Sequence, residues 1–171
     1  RQLSFDLKIL RQDSGDCLFF LVWDGGKRDL VAAQPIPAQL ERDYNAWKRQ
    51  YLRYYKLPSE QTLSRSGSLS SVGNGDPSAA VRNAEDALIT TFLDWLGAGA
   101  IRSIERQLQD ALMDITHVPG ADSDQAPGIN VYLSCDETEL QQLPWEVWVR
   151  NLVPQTMPPE AIRIIRTPKD D

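Results

Sequence analysis

The chain has 171 residues, of which 42% are hydrophobic and 25% charged, so it can form one domain with its own core or one domain plus an insertion. Its 24 acidic residues outnumber 18 basic ones, and the formal charge is -6. Because the basic residues are also spread along the chain, this balance argues against nucleic acid and against an anionic membrane surface as partners.

Three short strands are predicted at the beginning of the chain. The first rests on the alternation of polar residues with Leu3, Phe5, Leu7 and Ile9, which is the period of a half-buried strand. A continuous apolar run at 17–23 favours a second, more buried strand, and a shorter run at 30–33 favours a third. Turn residues separate the three runs, so we predict an antiparallel meander.

A helix and a Ser-rich segment follow. Residues 38–55 have a helical period, because large apolar side chains recur at steps of three or four: Leu40, Tyr44, Trp47, Tyr51 and Tyr55. Pro58 is expected to end this helix. Residues 59–80 are rich in Ser and Gly and poor in large apolar side chains, so they predict a mobile insertion. The alternative is a regulated loop, since residues 65–68 (Arg-Ser-Gly-Ser) offer hydroxyls for phosphorylation.

The second half of the chain alternates helices with strands. We predict helices at 83–96 and 100–115, a strand at 129–134, a short helix within 140–152 and a last strand at 161–166. The apolar stripe of the helix at 100–115 consists of Ile101, Ile104, Leu108, Leu112 and Ile115. The fold class is therefore α/β, with N-terminal antiparallel strands and helices leading into the first strands of an α/β core. We expect three segments: strand meander and helix at 1–58, insertion at 59–80, and a helical pair with the start of the core at 81–171.

Few residues suit catalysis or cofactor binding. The sequence Gly97-Ala-Gly-Ala lacks the preceding strand and the third glycine of a dinucleotide fingerprint, so we interpret it as a turn between helices. No Cys or His pair has metal-ligand spacing, and we expect no metal and no cofactor. His117, the single histidine, and Cys135 could form a thiolate dyad, but a surface histidine and a small buried cysteine are the commoner roles. Two distant cysteines also favour reduced thiols in a cytoplasmic protein.

Residues 143–148 (Leu-Pro-Trp-Glu-Val-Trp) are the most informative stretch. Pro144 suits the first position of a helix, where its missing N–H costs nothing. Glu146 would then lie in the first turn, where the helix dipole favours a carboxylate. Trp145 and Trp148 are three residues apart and so face the same side of that helix. The pattern, which begins at Leu143, predicts a helix start that packs into the core and does not react.

This segment resembles the sequence hallmark of CHAT domains, the caspase-like domains of bacterial multidomain proteins. As in that family, a strand and a few polar residues precede Leu-Pro-Trp-Glu. The order of the other elements is also similar to that of bacterial, especially cyanobacterial, members: the opening hairpin, the helix with residues 44–51, the stretch 92–96 and the closing strand with residues 162–167. The resemblance covers most of the chain apart from the Ser-rich insertion, and it implies a caspase-like α/β core.

The resemblance also implies where catalysis would lie. The family's catalytic His and Cys follow at the ends of two later strands, which places them after Arg166, so no residue of this chain is carried over as catalytic. In caspase-like proteases, the pocket for the substrate's first side chain can use a basic residue near an early strand. Arg166 is a basic residue at the end of a predicted strand of the core, so the resemblance implies that it could line this pocket. The alternative is that Arg166 is an ordinary surface arginine.

We therefore predict a non-catalytic N-terminal scaffold and docking portion of a CHAT domain from a bacterial signalling or defence protein. Since Arg1 is not a methionine, we expect upstream processing or excision from a longer chain. The expected partner is a protein or a neighbouring domain, and the oligomeric state stays open. The alternatives are a free-standing protein-interaction module, favoured by a stop codon after Asp171, and a small-molecule sensor domain, favoured by an apolar pocket with converging polar groups.

Overall fold

The computed structural model describes residues 2–61, 77–117 and 127–168 of the chain. These residues form two compact units. One contains the described residues up to Ile36 together with those from Leu96 onwards, and the other contains those from Pro37 to Trp95. These units do not follow the three predicted segments, because strands from both ends of the chain pair in one sheet.

The first unit is built on a five-stranded mixed sheet, which confirms the α/β class. Its strands are β1 (Gln2–Arg11), β2 (Asp16–Trp23), β3 (Arg28–Pro35), β4 (Gly128–Cys135) and β5 (Ile162–Arg166). Their order across the sheet is β3-β2-β1-β4-β5. The predicted meander is confirmed, since β1 pairs with β2 and β2 with β3 in antiparallel fashion. The pairs β1–β4 and β4–β5 are parallel.

The helices are α1 (Ala38–Gln61), α2 (Pro77–Leu96), α3 (Arg102–Thr116), α4 (Thr138–Gln141) and α5 (Trp145–Leu152), with a short 3-10 helix at Pro159–Ala161. The predicted stripe of α3 is confirmed, because its five apolar side chains are all buried. One short helix was predicted within 140–152, whereas the chain forms two, α4 and α5, on either side of a bend at Pro144. The turn predicted at 97–100 joins α2 to α3, and Gly99 adopts a φ of 103° there, which suits a residue without Cβ.

Two boundaries differ from the sequence prediction. Helix α1 runs on to Gln61, so Pro58 does not end it; a proline removes one backbone hydrogen bond of a helix, and the neighbouring turns can carry that loss. Helix α2 begins at Pro77, which suits the first turn of a helix because its missing N–H would have no partner there. Residues 59–61 and 77–80 are therefore helical, while the rest of the predicted insertion lies outside the described residues.

The two faces of the sheet differ in exposure. One face, which we call the inner face, is buried and carries Phe5, Leu7, Ile9, Cys17, Phe19, Leu21, Ile129, Val131, Leu133 and Cys135. Helices of the same unit pack on it, as the contact between the rings of Phe19 and Trp145 shows. On the other face, which we call the open face, Asp6 and Lys8 of the central strand β1 are exposed to solvent. The described helices of this unit therefore leave Asp6 and Lys8, in the middle of the open face, exposed.

The second unit consists mainly of α1 and α2. Its buried side chains include Leu40 and Tyr44 from α1 and Leu88 and Phe92 from α2. The hydroxyl of Thr91 donates a short hydrogen bond to the carboxylate of Asp43, which ties the two helices together. The apolar stripe that predicted α1 is thus buried in its N-terminal half.

Candidate functional site

Polar side chains collect at the carboxyl ends of the three parallel strands. The backbone N–H of Arg11, at the end of β1, donates to both carboxylate oxygens of Asp136, at 3.2 and 3.0 Å. Its guanidinium lies 3.3 Å from the carboxylate of Glu137. After β5, the N–H and the hydroxyl of Thr167 both donate to the carbonyl of Leu133 at 2.9 Å. Sites of α/β proteins form at this edge of a parallel sheet, so it is the candidate site of this chain.

The loop after β4 turns sharply at Pro144. The N–H of Trp145 donates to the carbonyl of Leu143 at 2.8 Å, and Pro144 between them has φ -80° and ψ 63°, which are the angles of an inverse γ-turn. Helix α5 therefore begins at Trp145, and Pro144 precedes the helix, whereas the sequence placed it at the first helical position. Glu146 lies in the first turn as predicted.

Trp145 is the largest side chain of the core with no solvent exposure. Its indole N–H donates to the carbonyl of Leu140 at 2.7 Å, so the polar atom keeps a partner although it is buried. The ring contacts Phe19 edge-on, with centroids 6.3 Å apart, and Trp148 at 5.9 Å. Trp148 is buried as well, so the predicted packing of both tryptophans is confirmed.

Arg166 holds the loop and the first turn of α5 against the end of β5. Its Nε donates to the carbonyl of Gln141 at 2.9 Å, and its Nη2 donates to the carbonyl of Leu143 at 3.0 Å and to Glu146 Oε2 at 2.9 Å. Its Nη1 forms an ion pair with the same carboxylate. Burial lowers the pKa of Arg166, and the guanidinium stays charged because its ordinary pKa is so high. The structure thus gives Arg166 a structural role, and its role in a substrate pocket stays a prediction.

Neither thiol is prepared to act as a nucleophile. Cys17 and Cys135 are both buried on the inner face of the sheet. Burial raises the pKa of each thiol from 9.0 to about 12, and the negative charge of Asp136 adds to the rise at both. Because the thiolate is the reactive form, both cysteines are inert near neutral pH.

His117 and Cys135 lie at opposite ends of the sheet. Ile115, two residues before His117, lines a cavity together with Leu3, which pairs with Ile129 at the beginning of β4. Cys135 ends β4, about 20 Å further at ~3.3 Å per residue. The structure therefore does not bring the two residues of the candidate dyad together.

That cavity has a volume of about 350 Å³ and lies at the amino end of β1. Leu3, Phe5 and Trp23 form apolar parts of its wall, and Arg28 and Asp114 add charged groups.

Among the residues that the structure describes, no group of three Cys, His, Asp or Glu side chains could hold a metal ion. Within the same ranges, no helix is both long and apolar enough to cross a membrane.

The open face of the sheet is the feature that the sequence prediction missed. A depression of about 490 Å³ crosses it, lined by Asp6, Lys8, Leu10, Phe20, Val22, Tyr132, Ser134 and Thr167. At the β3 side of this face Val31 is 56% exposed. The signal was present in the apolar run of β2, whose Phe20 and Val22 point away from the buried Phe19 and Leu21. Such a run predicts a strand covered on both faces, whereas here Phe20 and Val22 on the open face are only half-buried.

Comparison with protein-family models and with curated protein sequences finds no match to this chain. The resemblance to CHAT domains therefore rests on residues 143–146 and on the order of the elements, and it stays a hypothesis.

We predict that Trp145→Ala lowers the free energy of unfolding by about 3–5 kcal/mol, because it removes a large side chain from a fully buried site. Denaturant unfolding followed by circular dichroism measures the change. Trp145→Phe is the control: it keeps an aromatic ring against Phe19 but loses the hydrogen bond to Leu140, so it should cost less. An alanine variant as stable as the parent would contradict the packing role.

Arg166→Ala should cost about 1–3 kcal/mol, because the carbonyl of Gln141 and the carboxylate of Glu146 lose their donor and the carbonyl of Leu143 keeps only the N–H of Trp145. Glu146→Gln should cost less than about 1 kcal/mol. The reason is that the side chains of this ion pair are 35% and 44% exposed. Denaturant unfolding of both single variants and the double variant measures these terms. Equal losses in the two single variants would mean that the ion pair, and not the bonds to the carbonyls, fixes the loop.

The two thiols should resist iodoacetamide in the folded protein at about pH 8 and react after unfolding in urea. Their pKa of about 12 exceeds the ordinary 9.0, so the unfolded chain loses these protons first as the pH rises. The free energy of unfolding should therefore decline between pH 9 and pH 12. A variant with both Cys17→Ala and Cys135→Ala should decline less steeply. Rapid labelling of the folded protein would refute the assignment of inert thiols.

Proposed function

We propose that this chain is the non-catalytic scaffold and docking portion of a CHAT-type, caspase-like domain in a bacterial signalling or defence protein. One observation carries the docking role: three of the five strands are parallel, and the helices that the structure describes in this unit pack on the inner face of the sheet. Parallel strands are generally covered on both faces. The open face, with Phe20, Val22 and Tyr132 around a depression, is thus the surface that a further layer would cover.

The scaffold role is supported by the contacts of residues 143–148. Trp145 fills the core beneath the sheet, and its indole N–H donates to the carbonyl of Leu140. Arg166 binds the carbonyl of Leu143 and the carboxylate of Glu146, so these contacts serve the packing of the fold. The segment places helix α5 at the carboxyl end of the parallel strands, where the family's catalytic residues would be expected on later strands.

The partner of the open face is, in this proposal, the catalytic half of the same domain or a neighbouring domain with an apolar helical surface. Exposed apolar patches of this kind mark interaction surfaces on proteins. Asp6 and Lys8 in the middle of the face would fix the position of the partner by charge, since both are exposed and lie on the central strand.

A small-molecule sensor is the second candidate, favoured by the cavity near Trp23. Its volume of about 350 Å³ lies within the range of small-molecule sites, about 300–1,000 Å³. Charged groups of Arg28 and Asp114 lie on its wall beside apolar ones. A compound that raises the melting temperature of the parent and not of Arg28→Ala would favour this candidate.

We predict that the purified chain has no peptidase activity. A cysteine peptidase needs a thiolate, a base and donors for the oxyanion, and here both thiols are buried and His117 is far from Cys135. Incubation with a broad peptide library and a thiol-reactive probe measures activity. Cys135→Ala should change nothing except stability. Specific cleavage that is lost in both His117→Ala and Cys135→Ala would make this chain a self-contained enzyme and overturn the proposal.

The docking role predicts a difference between this chain and a longer protein that includes the sequence encoded after Asp171. Phe20→Ser should destabilise the longer protein by about 1.5–3 kcal/mol more than it destabilises the chain alone, since only there would the ring be fully buried. Met113→Ser is the control, because Met113 is exposed on α3. Equal effects of Phe20→Ser in both proteins would mean that nothing encoded downstream covers the open face.

A further inference from the structure

From its tenth residue onwards, α1 carries a row of aromatic rings, half-buried at Trp47 and exposed at the three tyrosines, which we call the aromatic ladder: Trp47, Tyr51, Tyr54 and Tyr55. Neighbouring rings are in contact, with centroids 5.4 Å apart for Trp47 and Tyr51, 4.5 Å for Tyr51 and Tyr55, and 5.0 Å for Tyr54 and Tyr55. These contacts hold the rings in place before any partner binds, which lowers the entropy cost of binding.

The aromatic ladder continues a stripe whose first half is covered. Leu40 and Tyr44 are only 2% and 3% exposed, whereas Tyr51, Tyr54 and Tyr55 are 41%, 40% and 62% exposed. Leu52 is also 39% exposed, so the apolar surface is wider than one row of rings. An apolar patch of this kind on a helix is typical of an interaction surface.

Positive charge accompanies the aromatic ladder. Lys48, Arg49 and Arg53 are all exposed, and residues 44–55 contain no Asp or Glu. Among the residues that the structure describes, none of these three cations forms an ion pair with a carboxylate. Lys48 Nζ instead lies 6.0 Å from the ring centroid of Tyr44. In a protein with a charge of -6, three cations thus lie within two turns of one helix with no carboxylate partner in the part of the chain that the structure describes.

We propose that this surface binds a short acidic segment of a partner protein that also carries apolar side chains. The acidic groups would pair with Lys48, Arg49 and Arg53, while the apolar groups would pack on the rings of the ladder. The surface from Trp47 to Tyr55 is about 12 Å long at 1.5 Å per residue, which limits its footprint to a short segment. The site lies on α1, which belongs to a different unit from the sheet, and it does not depend on the proposed function.

The same chemistry could attract single-stranded nucleic acid, because bases stack on aromatic rings and phosphates bind cations. The charge distribution of the protein favours a short acidic peptide over a nucleic acid as the ligand. A nucleic acid strand extends beyond 12 Å and would meet the acidic remainder of a protein that carries 24 acidic residues. A short acidic segment can end where the positive patch ends.

Fluorescence anisotropy with the full chain tests the proposal. The probe is a labelled peptide of about five residues in which Glu alternates with Leu and Phe, and its counterpart has Lys in place of Glu; at about 3.3 Å per residue its length matches the patch. We expect the acidic peptide to bind, the basic one to bind at least about tenfold more weakly, and salt to weaken the acidic complex. The variant with Lys48→Glu, Arg49→Glu and Arg53→Glu should bind the acidic peptide at least about tenfold more weakly than the parent.

Two further variants distinguish binding at the aromatic ladder from an effect of the protein's overall charge. Lys27→Glu, Arg106→Glu and Arg150→Glu together make the same charge change at exposed positions elsewhere and should leave binding within about twofold of the parent. Tyr51→Ser with Tyr55→Ser should weaken it about tenfold, and circular dichroism confirms that each variant folds. Equal losses in the two charge variants, no binding of the acidic peptide, or tighter binding of an oligothymidylate of about twelve nucleotides would overturn the proposal.

Discussion

The parallel pairing of β1 with β4 is the contact on which the first unit depends. It aligns Gln2 with Gly128 and Ile9 with Cys135, so the first strand of the chain lies next to a strand that follows more than one hundred residues later. Parallel strands cannot be joined by a tight turn, because the chain must return to the same end of the sheet. The long connection holds α1, α2 and α3, and this explains why one compact unit contains both ends of the described chain.

The same pairing creates the polar edge of the sheet. Because β1, β4 and β5 run in one direction, their carboxyl ends meet, and Arg11 reaches Asp136 and Glu137 there. Arg166 closes the neighbouring part of this edge by binding the loop that leads into α5. Nearly all of these polar groups bind one another or the backbone, so the edge is stabilised as a structure.

Two surfaces of the molecule carry apolar groups that the fold itself does not bury. On the open face the apolar side chains belong to a sheet whose other face is packed, and on α1 they continue a stripe whose beginning is packed. The surfaces differ in charge. Both signs occur in the middle of the open face, at Asp6 and Lys8, whereas α1 presents only positive groups beside its rings. Their partners should therefore differ in chemistry.

The sequence by itself determined the local elements, because their periods and turn residues depend only on near neighbours. Alternation in residues 3–9 predicted β1, the stripe from Ile101 to Ile115 predicted α3, and the pair Trp145 and Trp148 predicted a buried helix start. The prediction that α1 ends at Pro58 was wrong, because a proline weakens a helix only locally and the length of α1 depends on more than one residue. The sequence predicted Pro144 as the first residue of the helix, whereas α5 begins one residue later, at Trp145. The reason is that the γ-turn at Pro144 depends on backbone angles that the surrounding fold imposes.

Only the tertiary structure decided which strands pair and which apolar side chains stay uncovered. The period of β1 cannot reveal that its partner is β4, since pairing joins residues far apart in sequence. Likewise, Phe19 and Phe20 are the same residue type in one apolar run, yet the sheet places one in the core and the other on the open face. The role of Arg166 was hidden for the same reason: its acceptors at Gln141, Leu143 and Glu146 approach it only when β5 pairs with β4.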